Sequence, residues 1–338
     1  MSKRTRTTAR SFTLVELLLV VFILAAVAAS AASLTAQADE QFRYDDTKAR
    51  REEIRRAILG DPSRTANGQP VVSGFVADLG RIPASLRELV DPDSPPQWEF
   101  HPTPQQWAGW RGGYLRGDQI PDPTDADGLR IVYRDGWKNL PHPDDFGGSP
   151  ALADVQDRLN FGWLLNVPGA LEDGALQLRS TGSNGRTGGI GPFDSDWPLD
   201  PTLITSADHQ LSLRHWRVTV TLRNDSATEI TQRQVRLRLY APRLSDDGSS
   251  LQWPDDRWLS NAVDLTGVAT GTAWTSEFVF PDAPESDRVP CGVRTLNLVE
   301  TDGSELAGLP RQPEAMPVTL LARMALQPLS ITLRIPPP

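Results

Sequence analysis

Hydrophobic and polar positions divide the chain into regimes of different period. From Leu17 to Ala38 no charged residue appears, a run about as long as the ~20 residues that cross the ~30 Å hydrocarbon core of a bilayer. Asp39 to Leu59 is polar yet helix-favouring, with Phe42, Ala49, Ile54, Ala57 and Ile58 as its apolar positions among Arg and Glu. Gly60-Asp61-Pro62 then ends the pattern with a glycine followed by a proline. The spacing predicts one helix from Phe12 to Leu59, ~70 Å long at ~1.5 Å per residue. Its first half suits lipid, and its second half suits packing on a globular head. Ala25, Ala26, Ala28, Ala29, Ser30, Ala31, Ala32 and Ser33 are small. They allow close approach of neighbouring helices, or they simply make a slim membrane helix.

From about Pro201 the period becomes two. Trp216, Val218, Val220 and Leu222 share one face of a strand, with charged or hydroxyl residues and His215 on the other, and Asn224-Asp225-Ser226 turns the chain. Val235 to Tyr240 repeats the alternation. Further strands are expected at Trp274–Phe280, Val293–Val299, Val318–Arg323 and Leu329–Ile335. Short strands with turns between them predict a β-sandwich of immunoglobulin-like type, two facing sheets being the natural way to bury such faces. Pro336-Pro337-Pro338 blunts the final edge. The fold class expected is therefore α+β: a leader over 1–11, a transmembrane and stem helix over 12–60, a small α+β head over 61–200, and a β-sandwich over 201–338.

Composition supports folded cores rather than disorder, since 39% of residues are hydrophobic and Trp and Phe number ten each. The formal charge of −9 falls to near −13 once Lys3, Arg4, Arg6 and Arg10 are removed, an acidity that argues against a nucleic-acid surface. Those leader cations place the N-terminus in the cytoplasm and everything beyond the apolar run outside it. Cys291 is the only cysteine, so no internal disulfide forms and a half-buried structural thiol is expected. His101, His142, His209 and His215 lack metal-ligand spacing, and no nucleophile elbow or phosphate-binding glycine motif is present. Asp144-Asp145, Asp246-Asp247 and Asp255-Asp256 read as solvated turns. No enzymatic chemistry is expected. The ten tryptophans could offer a sugar- or protein-binding patch, but most read as core, with Trp253 and Trp258 the loop pair to inspect first.

Arg10-Ser11-Phe12-Thr13-Leu14-Val15-Glu16, running into the apolar segment, sets one carboxylate just inside the apolar run. An unpaired carboxylate there costs several kcal/mol, so it calls for a partner. This string resembles the cleavage and methylation signature of type IV pilins and type II secretion pseudopilins, with Ser11 at the family's glycine position. The resemblance implies cleavage by prepilin peptidase between Ser11 and Phe12, N-methylation of Phe12, and a Glu16 carboxylate paired with the free Phe12 amine of a neighbouring subunit, which sets filament register. It also implies residence in the bacterial inner membrane as a single-pass protein, with the C-terminal bulk in the periplasm or on a filament. The partners implied are other pilin or pseudopilin subunits, prepilin peptidase and membrane lipid. A secreted cargo or envelope partner would meet the β domain, and no nucleic acid is expected.

Three further strings resemble the head of the major pseudopilin. Asp78-Leu79-Gly80-Arg81-Ile82-Pro83 precedes Ser85 to Val90, where Ser85 and Glu88 have capping-box spacing. Gly109-Trp110-Arg111-Gly112-Gly113-Tyr114-Leu115 follows, and then Pro121-Asp122-Pro123, Gly128 and Tyr133 suggest a short hairpin around Ile131-Val132-Tyr133. Leu176 to Gly189 is similar to a loop that binds calcium in that family. The resemblance implies Asn184, Asp194 and Asp196 as its ligands here, oxygen-rich turns suiting a hard cation. The other reading is a glycine-rich surface loop held by its own hydrogen bonds. Between these strings, 136–174 is an insertion with a short helix expected over Pro150–Asn160, where Leu152, Val155, Gln156 and Leu159 recur at helical spacing. The β domain is an addition to the usual pseudopilin. Two roles remain open beside a filament subunit: a membrane-anchored binding protein and a tip adhesin.

Overall fold

The computed structural model describes residues 13–61, 63–66, 69–122, 128–254, 257–281, 288–309 and 311–337. The leader, Ser11, Phe12, Pro62, Pro123, Asp255, Asp256 and Pro338 lie outside the described residues. The architecture is α+β, with a long N-terminal helix leading into a β-rich C-terminal region.

Helix α1 runs Leu14–Leu59, 46 residues. Its side chains are exposed from Leu14 to Phe42 and become partly covered from Arg43 onward. The first half is long and apolar enough to cross a membrane by length and composition. The second half packs on the head through Ile54, Ala57 and Ile58, as its periodicity predicts, whereas Phe42 stays 71% exposed. Arg51 anchors it further, donating to Thr202 O at 3.0 Å and Pro201 O at 3.3 Å. Thr47 Oγ1 accepts from Gly136 N at 3.0 Å, which joins the stem to the start of the insertion.

The head follows with α2 (Phe75–Leu79) and α3 (Arg87–Val90). Two hairpins come next, β1 (Glu99–His101) with β2 (Gln106–Ala108) and β3 (Asp118–Pro121) with β4 (Leu129–Val132). Then come α4 (Pro150–Asn160) and the antiparallel set β5 (Leu164–Asn166), β6 (Leu176–Arg179) and β7 (Thr202–Ile204). Two expectations change here. Ser85 does not cap α3, whose N-cap is Leu86. The Glu88 carboxylate instead accepts from Ala84 N at 3.1 Å and pairs with Arg81, because a buried guanidinium outcompetes a capping role. Helix α4 has the expected bounds but packs its polar side inward. Ala153, Asp157 and Asn160 are buried, while Leu152 and Val155 are exposed, because Arg130 and Arg134 both grip Asp157, at 2.6 and 2.7 Å.

After α5 (Ser206–His209), the C-terminal region forms two principal sheets. In the first, β8 (Arg217–Asn224) lies between β11 (Ala273–Val279), antiparallel, and β14 (Leu329–Ile335), parallel. In the second the order is β10 (Val263–Leu265), β9 (Arg233–Tyr240), β12 (Gly292–Glu300), β13 (Met316–Leu320), all antiparallel. Among the described residues no strand is shared between these two sheets. Their inward residues join one apolar cluster, including Val218, Val220 and Leu222 from one sheet and Leu237, Leu239 and Leu296 from the other. Each such burial contributes ~1.5–3 kcal/mol. The strand expected to reach Arg323 ends at Leu320, and Arg323 takes a left-handed φ of 58°. His215 is exposed in the turn before β8, also left-handed, rather than on the strand.

The two regions are joined by buried polar contacts. Arg294 on β12 is fully buried and donates to Pro290 O (2.9 Å), Cys291 O (2.6 Å), Val293 O (3.0 Å) and, across the junction, Ala77 O (2.9 Å) and Val76 O (3.4 Å) of α2. Burial pushes its pKa down to about 10, so it stays charged at neutral pH. Gly292 makes room for it: a Cβ there would sit 2.5 Å from the guanidinium. Gly80 permits a second close approach, since a Cβ would lie 1.7 Å from Pro242 O. His209 is wholly buried and its Nε2 lies 3.1 Å from Gly174 O, a third tie.

Replacing Arg294 with Leu is expected to cost about 3 kcal/mol by stranding buried carbonyls, with Lys restoring only part because it offers fewer donors. Denaturant unfolding of the detergent-solubilised chain reads this directly. Burial also lowers the pKa of His209, so the unfolded chain binds a proton that the folded one refuses. Stability should therefore fall as pH drops below about 6.5, by up to ~1.4 kcal/mol per pH unit. His209→Gln should flatten that dependence, and an unchanged slope in the variant would count against this assignment.

Candidate functional site

Two places carry the residues that sequence patterning points to. The first is the start of α1. Thr13 is the N-cap, and its backbone N–H and Oγ1–H donate to Glu16 Oε2 at 2.9 and 3.0 Å, while Glu16 N donates back to Thr13 Oγ1 at 3.2 Å. The carboxylate that seemed to demand a partner from another chain thus has a local one. The capping box fixes its orientation at the helix entrance, where the positive end of the helix dipole also favours a negative charge. Its remaining acceptor capacity stays available to a cation.

The second place is the glycine-rich loop after β6. The structure gathers Asn184, Asp194 and Asp196 in this one loop but commits them to different protein donors. Asn184 Oδ1 accepts from Arg186 N at 2.8 Å and its Nδ2 donates to Gly188 O at 3.3 Å. Asp194 accepts from Ser183 Oγ. Asp196 accepts from Gly188 N at 3.0 Å and pairs with Arg179 at 3.3 Å. Among the described residues no group of three or more His, Cys, Asp or Glu side chains is placed to hold a metal. A calcium ion would have to displace an arginine, two backbone N–H donors and a hydroxyl, so this donor set does not fit the ion. The loop closes on itself instead.

Sequence patterning missed what anchors that loop. Asp135 is buried and accepts from Ser180 Oγ at 2.6 Å and from Asn139 N and Nδ2 at 3.1 Å each. Asn139 Nδ2 also reaches Gly182 O at 2.7 Å. Burial lifts the Asp135 carboxyl above its usual range despite these donors. Asn139 belongs to the insertion that sequence reading left without a role and Asp135 immediately precedes it, and no local pattern marks a contact spanning forty-odd residues.

The first two head strings meet in space. Arg111 forks onto the buried Asp78 carboxylate, and Tyr114 OH donates to it at 3.0 Å. The Arg111 guanidinium stacks over Trp98 at 4.4 Å. Desolvation raises the Asp78 pKa, opposed by Arg111 and Tyr114. Of the loop tryptophans, Trp258 is buried in the β-domain core, and Trp253 packs on His101 with ring centroids 5.1 Å apart. Cys291 is half-buried, its thiol pushed up to about 11 by desolvation.

Millimolar calcium is expected to leave the melting temperature of the purified chain unchanged; a ligand-dependent rise would show that the loop rearranges to bind the ion. Set against known proteins, the chain matches no family model, no curated protein and no solved structure.

Proposed function

We propose that the chain is a structural subunit of a pilin- or pseudopilin-like filament. In this reading, prepilin peptidase cuts between Ser11 and Phe12, Phe12 is N-methylated, and the subunit sits in the bacterial inner membrane until its stem packs with others. The observation that carries the reading is the division of α1. Its half from Leu14 to Phe42 is bare, with no charged residue from Leu17 to Ala38, while its other half is built into the head. A long apolar helix leading into a β-rich body is compatible with a pilin-like architecture. The Thr13–Glu16 cap adds support by presenting the carboxylate where a neighbouring Phe12 amine would meet it, neutralising two charges that lipid penalises.

On this reading the β domain decorates the filament or recognises a partner. Its two sheets around one apolar cluster support an immunoglobulin-like sandwich. Its buried ties to the head make the whole exported body a single unit rather than a tethered pair. We assign it no catalytic step. A second reading, a membrane-anchored binding protein that stays solitary, is favoured by a cleft where stem, head and β domain meet.

Mass spectrometry of the mature N-terminus should find methylated Phe12. Glu16→Ala should be processed normally yet fail to enter filaments, and a bulky residue at position 11 should block processing. A chain that keeps its first eleven residues, or a Glu16→Ala variant that assembles normally, would overturn the filament reading.

A further inference from the structure

The charge-free run of α1 ends close to where the folded body begins. Leu17 to Ala38 is ~33 Å long as a helix, just over the ~30 Å hydrocarbon core, and Asp39 and Glu40 follow it directly. With Ala38 at the core boundary, Tyr44 stands ~9 Å further along the axis, at the outer edge of a headgroup layer ~5–7 Å deep. Tyr44 belongs to the first turn of α1 that the body covers. Phe42, exposed on the other side of the helix, stands at the same level.

Two loops meet on that turn. Arg51 holds Pro201 O and Thr202 O. Trp197 comes next, its ring 5.6 Å from the Arg51 guanidinium and 5.7 Å from the Tyr44 ring, and Phe193 lies 5.7 Å from Tyr44. From Thr202 back to Phe193 the segment therefore follows the stem from Arg51 to Tyr44, ~10 Å toward the apolar half. The second loop starts at Gly136, where a Cβ would lie 2.2 Å from Arg43 O, and its Trp137 ring is 6.1 Å from Phe193. Beyond Phe193 the chain turns through Gly189-Ile190-Gly191. Ile190 is 96% exposed, more than any other large apolar side chain among the described residues. The loop's carboxylates are already occupied, Asp194 by Ser183 and Asp196 by Arg179 and Gly188 N. What the tip presents is apolar surface, not charge.

We propose that this loop is a second membrane contact. While the subunit sits in the bilayer, Ile190 enters the boundary between headgroups and acyl chains. The aromatic cluster of Tyr44, Trp137, Phe193 and Trp197 lies behind it at the headgroup level, where rings with one polar edge are favoured. The occupant is lipid because the length of the apolar run fixes the height of Tyr44 above the hydrocarbon, and the loop descends from there. A single spanning helix leaves the body free to rotate about its axis, whereas a span with an interfacial anchor at its side does not. The inference rests on reading α1 as a membrane span and is independent of filament assembly.

The test places the full chain, one copy per disc, in nanodiscs of dioleoylphosphatidylcholine, so that no neighbouring subunit can cover the tip. Cys291, the only cysteine, is changed to Ser. An environment-sensitive fluorophore is then attached through Ile190→Cys or, in a second sample, through Val27→Cys within the span. Phosphatidylcholine carrying a nitroxide near the glycerol end of its chains should quench the label at 190, and aqueous iodide should not. Because a fluorophore can seek lipid by itself, the unlabelled chain is read too: Ile190→Asp should lower the fraction of tryptophan emission that the nitroxide lipid quenches, and Ile190→Leu should not. A label at 190 open to iodide, or an Ile190→Asp chain quenched like the parent, overturns the proposal. The label at 27 keeps the two failures apart. Shielded from iodide while 190 is open, it leaves the span standing without the loop contact; open to iodide, it overturns the span and this proposal together.

Discussion

The five-residue helix α2 holds the molecule together. Too short to be stable alone, it is gripped on every side by polar contacts from elsewhere in the chain. Arg111 and Tyr114 bind its Asp78 carboxylate, and Gly109 N donates to Asp78 O at 3.2 Å. From the β domain, Arg294 covers the carbonyls of Val76 and Ala77. Arg294 makes no ion pair among the described residues, so its charge is compensated by carbonyl dipoles and, at longer range, by Asp78. An arginine in that position is costly to bury and more costly to strand, which makes the junction specific rather than merely adhesive.

This constraint shapes what the rest can do. Stem, head and β domain meet at α2, so the bare half of α1 leaves the body at an angle set by buried contacts rather than by a linker. Leu244 extends the junction, since it belongs to the C-terminal region by sequence but to the head core by packing. On the filament proposal, a body held this way lets each copy present the same surfaces. It also creates the junction cleft, which exists only because three elements are fixed around it.

Much of this was legible in the sequence where a periodic pattern meets a single environment. The stem, the inward face of β8 and the bounds of α4 follow from spacing alone, because each side chain answers to one neighbouring surface. Reading failed where distant polar groups compete. Glu88 leaves Ser85 for a buried Arg81. The polar side of α4 turns inward because Asp157 has two arginines to meet there. The loop residues Asn184, Asp194 and Asp196 allow either a cation site or a self-closed loop as a string, and only their positions in space show that each already accepts from a protein donor. Arg294 carries no local signature at all. One arginine in an alternating strand gives no hint that it will cap a helix more than two hundred residues earlier.

Hydrogen exchange across the purified full-length chain tests the central claim most directly. If α2 joins head and β domain into one body, its hydrogen-bonded amides, Asp78 N on Gly74 O and Gly80 N on Val76 O, should exchange only through the same global opening that exposes β8 and β12. Exchange at Asp78 and Gly80 that is much faster than in both of those strands would show that the junction opens on its own, and that the two regions are separate bodies joined by a loose contact.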